Sequence, residues 1–184
     1  NAQPGISVNG AGHVVGGDPA VGNLVSGNGN GGIVLGNAAI ACEILGNHIG
    51  VDVAGSGALG NGSVGIRVIG NGNQIGLPGQ GNVISAGARG ILVDGDDNAF
   101  EANYIGTNVA GSAALPNSEL GVWILGHGNT VGGTAAGAGN VISGNHRAGI
   151  YIANGSYHDI AGNRIGIGTD GSALGNGAGI FVDM

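Results

Sequence analysis

The sequence predicts an all-β fold, a single parallel β-helix (solenoid) of about six three-strand turns, and three observations carry that reading. A Gly-Asn pair, two aliphatics, a Ser and a small turn are written three times. They read GNLVSGN at 22–28, GNVISAG at 81–87 and GNVISGN at 139–145, spaced by 59 and 58 residues. Gly-aliphatic-x-aliphatic tetrads begin at Gly5, Gly32, Gly65, Gly90, Gly121, Gly149 and Gly179, in steps of 25 to 33 residues. Gly fills 45 of 184 positions, yet 42% of the chain is hydrophobic and 8% charged. That much Gly disfavours long helices, at about 1 kcal/mol each relative to Ala. The apolar share is enough for a core, which disordered Gly-rich chains lack. Self-similarity at a fixed period is the mark of stacked repeats.

Each unit contains three short stretches of period-two alternation bounded by Gly or Asn, a strand pattern with its turns supplied. The tetrad is the first strand. The second falls at 13–15, 42–44, 73–75, 98–100, 129–131 and 158–160, and the third at 23–25, 47–49, 82–84, 103–105, 140–142 and 163–165. Pairs of units make three super-repeats of about 58 residues within one solenoid over 1–184. Coiling turns like positions into ladders. Ile6, Ile33, Ile66, Ile91, Val122, Ile150 and Ile180 form one aliphatic row; Val25, Ile49, Ile84, Ile105, Ile142 and Ile165 form another. Asn23, Asn47, Asn82, Asn103, Asn140 and Asn163 recur at one corner, where an Asn stack satisfies turn backbone that burial would otherwise strand. At the second corner His13, Cys42, Asn73, Asn98, Asn129 and His158 share a row, read as corner fillers rather than ligands.

These strings resemble the right-handed parallel β-helix repeat proteins of bacterial exteriors, with units of the form GNxISGN…GIxI…NxIxGNxIGxDxxGxxALGN. CEILGNHIGVDVAGSGALGN (42–61), NAFEANYIGTNVAGSAALPN (98–117) and HDIAGNRIGIGTDGSALGN (158–176) carry the likeness. The resemblance covers nearly the whole chain and implies a right-handed coil of the pectate-lyase-like kind. It implies no single function, because lyases, tail spikes and adhesins share that coil.

Catalytic groups are hard to assemble. On the outward rows of the strands, Glu43 and Asp159 are the only acids and stand four turns apart, about 19 Å at strand spacing. Glycosidase carboxylate pairs sit about 5–9.5 Å apart. The expectation is a non-enzyme without cofactor. A cluster in DGDDN (94–98) puts Asp96 and Asp97 beside His127 of the next turn, a conceivable cation corner. A solvated turn is the preferred reading, so no metal is expected.

Charge narrows the partners. Net charge is −7, with four Arg and no Lys, which argues against nucleic acid and against polybasic membrane contact. No apolar run reaches the roughly 20 residues of a membrane helix. Cys42 stands alone, so no internal disulfide is expected. The chain opens at Asn1 without Met or apolar leader, and the expectation is an extracellular or cell-surface protein whose leader has been removed.

Two surfaces stand out. The outward row of the first strand ends in Arg67, Leu92, Trp123, Tyr151 and Phe181, gathering three of the six aromatics. An apolar stripe of this kind marks an interface, unless the Gly- and Ala-rich loops such as GVDVAGSGALGNGSV fold over it. The ends lack a capping helix or charged turn, which solenoids ordinarily need. Ile6 and Val8 at one end and Ile180 and Val182 at the other are therefore expected to stack head to tail. The sequence thus points to an adhesive or structural solenoid that stacks on itself into a filament or forms part of a longer surface array. The alternative is a polysaccharide-binding or polysaccharide-cleaving helix using the outer face of strand one.

Overall fold

The computed structural model describes residues 2–183. The first turn carries β1 (Ile6–Val8), β2 (Val14–Gly16) and β3 (Leu24–Val25); the second carries β4 (Ile33–Leu35), β5 (Glu43–Leu45) and β6 (His48–Ile49). The third holds β7 (Val64–Val68), β8 (Gln74–Ile75) and β9 (Val83–Ile84); the fourth holds β10 (Arg89–Val93), β11 (Ala99–Phe100) and β12 (Tyr104–Ile105). The fifth contains β13 (Leu120–Ile124), β14 (Thr130–Gly132) and β15 (Val141–Ile142). The sixth contains β16 (Ala148–Ile152), β17 (Asp159–Ala161) and β18 (Arg164–Ile165), and β19 (Ala178–Val182) opens a further layer.

Like strands stack in parallel. Sheet one orders β1-β4-β7-β10-β13-β16-β19, sheet two runs from β2 to β17, and sheet three from β3 to β18, giving seven, six and six strands. This is a parallel β-solenoid of about six turns. A single 3-10 turn, Pro19–Val21, is the only helical element among the described residues.

The register puts one aliphatic row of each sheet inside. Ile33, Ile66, Ile91, Val122 and Ile150 are fully buried, as are Ile44, Ile75, Phe100 and Val131 of sheet two and Ile49, Ile84, Ile105 and Ile142 of sheet three. Each such side chain contributes about 1.5–3 kcal/mol by leaving water.

Strands of sheets two and three begin one residue later than their sequence pattern suggests, and the corner explains why. The corner Asn spends its backbone N–H on a side chain instead of the ladder. Asn47 N–H donates to Asn82 Oδ1 at 3.0 Å, and Asn73 N–H donates to Asn98 Oδ1 at 2.9 Å. In sheet one, from β7 onward, the strand instead gains a residue before the tetrad Gly.

At the corner between sheets two and three, Asn23, Asn47, Asn82, Asn103, Asn140 and Asn163 form a continuous stack. Each Nδ2 donates to the next Oδ1, at 2.8 to 3.0 Å. The second Nδ2 hydrogen of the later members goes to a carbonyl of the turn before, for example Asn82 to Ile44 O at 2.7 Å. Asn47, Asn82, Asn103 and Asn140 are fully buried, whereas Asn23 is exposed and Asn163 half-buried, because they terminate the stack.

Five of the seven positions of the thrice-written motif now have a cause. A Cβ on Gly22, Gly81 or Gly139 would collide with the carbonyl oxygen of Gly46, Ala102 or Gly162 in the next layer. The Asn joins the stack, and the second aliphatic enters the core. The Ser hydroxyl donates upward, Ser26 to Val51 O, Ser85 to Thr107 O and Ser143 to Ile167 O, at 2.7, 2.8 and 3.1 Å. The closing Asn belongs to a second stack, at the corner between sheets three and one. There Asn28 donates to Asn61, Asn117 to Asn145 and Asn145 to Asn176. Gly87 occupies the place between Asn61 and Asn117 and contributes only its N–H, to Asn117 Oδ1 at 3.1 Å.

The Ser-anchored segments are the bases of three lateral hairpins, closed by antiparallel bridges Val51–Ala58, Thr107–Ala114 and Ile167–Ala173. They arise on alternate turns and stand on one another. Val109 N–H donates to Gly55 O, Thr169 N–H to Gly111 O, both at 2.9 Å, and Thr169 Oγ1 to Ala110 O at 2.7 Å. Gly111, at φ 66°, lies where a Cβ would come within 2.7 Å of Thr169 Cγ2 and 2.8 Å of the Tyr104 ring. No helix of the described residues is long and apolar enough to cross a membrane.

Candidate binding surfaces

Sheet one presents Ser7, Val34, Arg67, Leu92, Trp123, Tyr151 and Phe181 in a single outward row, fixed by the parallel register. Trp123 and Tyr151 stack with centroids 6.0 Å apart, and Tyr151 meets Phe181 at 5.5 Å with the rings tilted by 44°. The Arg67 guanidinium is bound to Asp94 at 2.8 Å. Arg89, one residue before its tetrad Gly, lies 4.6 Å over the Trp123 ring while paired to Glu119 at 2.9 Å. That residue carries no signal in the alternation, since its side chain leaves the strand to cover a ring in the next layer. Tyr151 Oη donates to Asp183 Oδ2 at 3.1 Å. Desolvation first, and then this bond to Asp183, hold its hydroxyl above the ordinary tyrosine range. Beside it, Arg147, Leu120, Ala148 and Phe181 line a hollow of about 500 Å³.

The long loops do not fold over this row. They lean on sheet three, with Gly55 against His48, Gly111 against Tyr104, and Arg164 Nη1 donating to Gly168 O and Thr169 O at 3.2 and 2.7 Å. Their first strands are tied to the Ser of the turn below, and that tether directs them away from sheet one.

The consequence is a groove over sheet three. Its floor is the outward row His48, Val83, Tyr104, Val141 and Arg164. One wall is the hairpin stack through Val109 and Thr169, and the other consists of turns at Gly79–Gly81 and 133–139. Its volume is about 950 Å³. Tyr104 and Arg164 stand two layers apart in the same row, with Val141 between them.

At the acidic corner, Asp96 Oδ1 accepts from the His127 backbone N–H at 2.7 Å, and Asp97 N–H donates to His127 O at 3.0 Å. The His127 ring contacts Ser156 Oγ at 3.2 Å. The carboxylate of Asp96 is thus a turn cap, and among the described residues no three His, Cys, Asp or Glu side chains converge as a metal site would require. At the second corner the Asn73–Asn98–Asn129 stack is closed by Cys42 at one end and His158 at the other. Cys42 N–H donates to Asn73, and Asn129 N–H donates to His158 Nδ1 at 3.2 Å. Cys42 is buried and in no disulfide, its thiol directed to Gly10 O at 3.1 Å. Glu43 and Asp159 lie in sheet two with β8, β11 and β14 between their strands.

No family model, curated protein or solved structure matches this chain, and its functional reading rests on its own geometry.

Proposed function

We propose that the chain is a non-enzymatic structural β-solenoid of the cell exterior that joins end to end with further copies of itself. The observation that supports this reading is the apolar face of β19, which calls for a next layer from a second copy or from a longer array of the same repeats. Ile180 continues a row whose inner members are fully buried, yet it is 46% exposed, with Phe181 and Val182 at 51% and 48%. Apolar surface of this kind gains by being covered, and an open strand edge is a template for the next strand.

The register favours β1 of a second copy as that strand. Ile6, Ser7 and Val8 pair with Ile33, Val34 and Leu35 within the chain. The same spacing sets Ile6 on Ile180, Ser7 on Phe181 and Val8 on Val182 across a joint. Such a contact is heterologous, and repeated without closure it grows a filament. Sheet one holds seven strands and the other sheets six, so the joint is stepped. It engages sheet one and leaves the place of one strand open above β17 and β18, which makes it weaker than an internal layer. The Trp123–Tyr151–Phe181 row is the natural lateral contact between filaments. The sequence likeness to bacterial surface β-helix repeats, which implies right-handed coiling, supports the external location.

Sedimentation velocity with negative-stain imaging tests the proposal. Particles lengthening with concentration are expected, and Ile180→Asp with Val182→Lys should abolish elongation. Trp123→Ser with Tyr151→Ser should leave single filaments without bundles. A folded monomer at all concentrations overturns the reading.

A further inference from the structure

We propose that the groove over sheet three is a binding site for an acidic linear polysaccharide, with a sugar ring on Tyr104 and an anionic substituent at Arg164.

The floor favours this class of ligand. It extends along the solenoid axis from His48 to Arg164, crossing the five strands β6, β9, β12, β15 and β18. At about 4.8 Å per strand, that is roughly 19 Å of continuous trough. Tyr104 stands half-buried at its centre between two buried valines, Val83 and Val141. Its ring is held from the side by Gly111 of the hairpin wall, so it is a rigid platform that costs little entropy to use. The opposite wall is built largely of Gly and Ala: Gly79, Gly81, Ala102, Gly133, Ala135, Gly137 and Gly139. Walls so bare let a broad, hydroxyl-bearing chain reach turn backbone.

Charge selects among such chains. The molecule carries −7 overall, but no carboxylate lines this groove, whereas Arg164 and His48 do; Glu101 lies behind the far wall at Gly133, across the trough from Arg164. The hairpin acids nearest to it are turned into their own loops, Asp52 to Ser56 N–H and Asp170 to Ser172 Oγ and N–H. Arg67 and Arg89 are paired with acids, but Arg164 is hydrogen-bonded to two backbone carbonyls through Nη1 alone. Those bonds fix its direction without neutralising it. The remaining face of the guanidinium is free to grip a carboxylate or sulfate in two-point fashion. Repulsion from acids elsewhere on the protein is screened within about 8 Å at physiological salt.

A peptide is the less suitable occupant. Extended peptides draw affinity from main-chain bonds to an open sheet edge, and the inner floor strands β9, β12 and β15 are paired on both sides.

The test is isothermal titration calorimetry of the whole chain against four probes. These are a uronic-acid hexasaccharide, a sulfated hexasaccharide, a neutral hexasaccharide and an acidic hexapeptide. One or both acidic sugars should bind, and the choice between them identifies the substituent. Tyr104→Ala should weaken that binding at least about tenfold, and Arg164→Gln should erase the preference over the neutral sugar. Ala135→Trp, at an exposed wall position, should block the trough without touching the core. Trp123→Ser on sheet one should change nothing. Failure of both acidic sugars to bind, binding indifferent to Tyr104→Ala and Ala135→Trp, or stronger binding of the peptide each overturns the proposal. End-to-end assembly involves none of these residues, so the two readings fail separately.

Discussion

AGIYI and AGIFV, the strings of β16 and β19, differ at two positions, yet the first is buried at every residue but its half-buried Tyr151, and the second is exposed throughout. Their registers are the same, with Ile150 on Ile180 and Ile152 on Val182. What separates them is that β16 has a strand on both sides and β19 on one. In a solenoid, burial belongs to the neighbour as much as to the motif, and an identical side chain contributes according to the layer that follows it.

Removing side chains from the two regions breaks the comparison most forcefully. Ile91→Ala in the middle of the coil should destabilise by about 3–4 kcal/mol in urea unfolding, from lost burial and the cavity left behind. Ile180→Ala should cost only about 1–2 kcal/mol in dilute solution, since it is 46% exposed and has roughly half the burial of Ile91 to lose. Equal losses would mean that β19 is covered in the monomer.

The Asn stack has the same gradient. Asn82→Ala orphans buried partners on both sides and should cost about 1–3 kcal/mol, while Asn23→Ala at the exposed end should cost less than about 1. Identical melting curves for Asn82→Ala and the parent chain would dismiss the stack as a source of stability.

The middle contains one defect of its own, where Gly87 interrupts the second Asn stack. Gly87→Asn should restore the missing link and stiffen the chain, raising stability by about 0.5–1 kcal/mol. The new Cβ meets Arg89 O at 3.1 Å, a tight contact that takes back part of that gain. A loss of stability on this substitution would show that the corner has no room to relax.

The smallest effect concerns the hairpins. Bonds from Gly57 and then Ser56 backbone amides hold Asp52 below its usual 3.8, and the Ser172 side chain and then its backbone do the same for Asp170. A lowered folded pKa means that the stabilisation is present above 3.8 and disappears as pH falls through the folded value. Protection of the amides in the 52–57 and 168–172 turns, taken relative to their intrinsic exchange at each pH, should therefore fall below that pH while the core stays protected. Protection there that ignores acid would show that these carboxylates are mere solvated groups.

How much of this was legible from the residues divides along the same line. The rows of sheet one were readable because tetrads such as those at Gly90 and Gly121 repeat with one inward aliphatic, and stacking alone then fixes Ile91 on Val122. The middle position of the Asn-x-aliphatic pattern falls on Tyr104 in 103–105 and on Arg164 in 163–165, which puts both in one outward row. The groove around them was not readable, because its walls are Gly-rich turns whose direction depends on tertiary bonds such as Ser85 to Thr107 O. The hairpins were legible only as Gly- and Ala-rich loops and not as a stack, since the contact of Val109 with Gly55 joins turns two layers apart. Arg89 was missed for a related reason: its partner ring is in the next layer, and no periodicity within its own strand announces it.

The joint proposed at the edge of β19 can be read directly by amide exchange at that edge. At the first layer Ile6 N–H donates to Gly32 O of the next strand, and at the last Asp183 N–H donates back to Ile152 O. By the same alternation the Ile180 and Val182 amides point to the open side. If the joint forms, these two amides should exchange freely in dilute solution and become protected as concentration rises, together with Ile6 and Val8 packing at the other end. Free exchange at Ile180 and Val182 over the whole concentration range, in a particle that stays monomeric, would contradict the account.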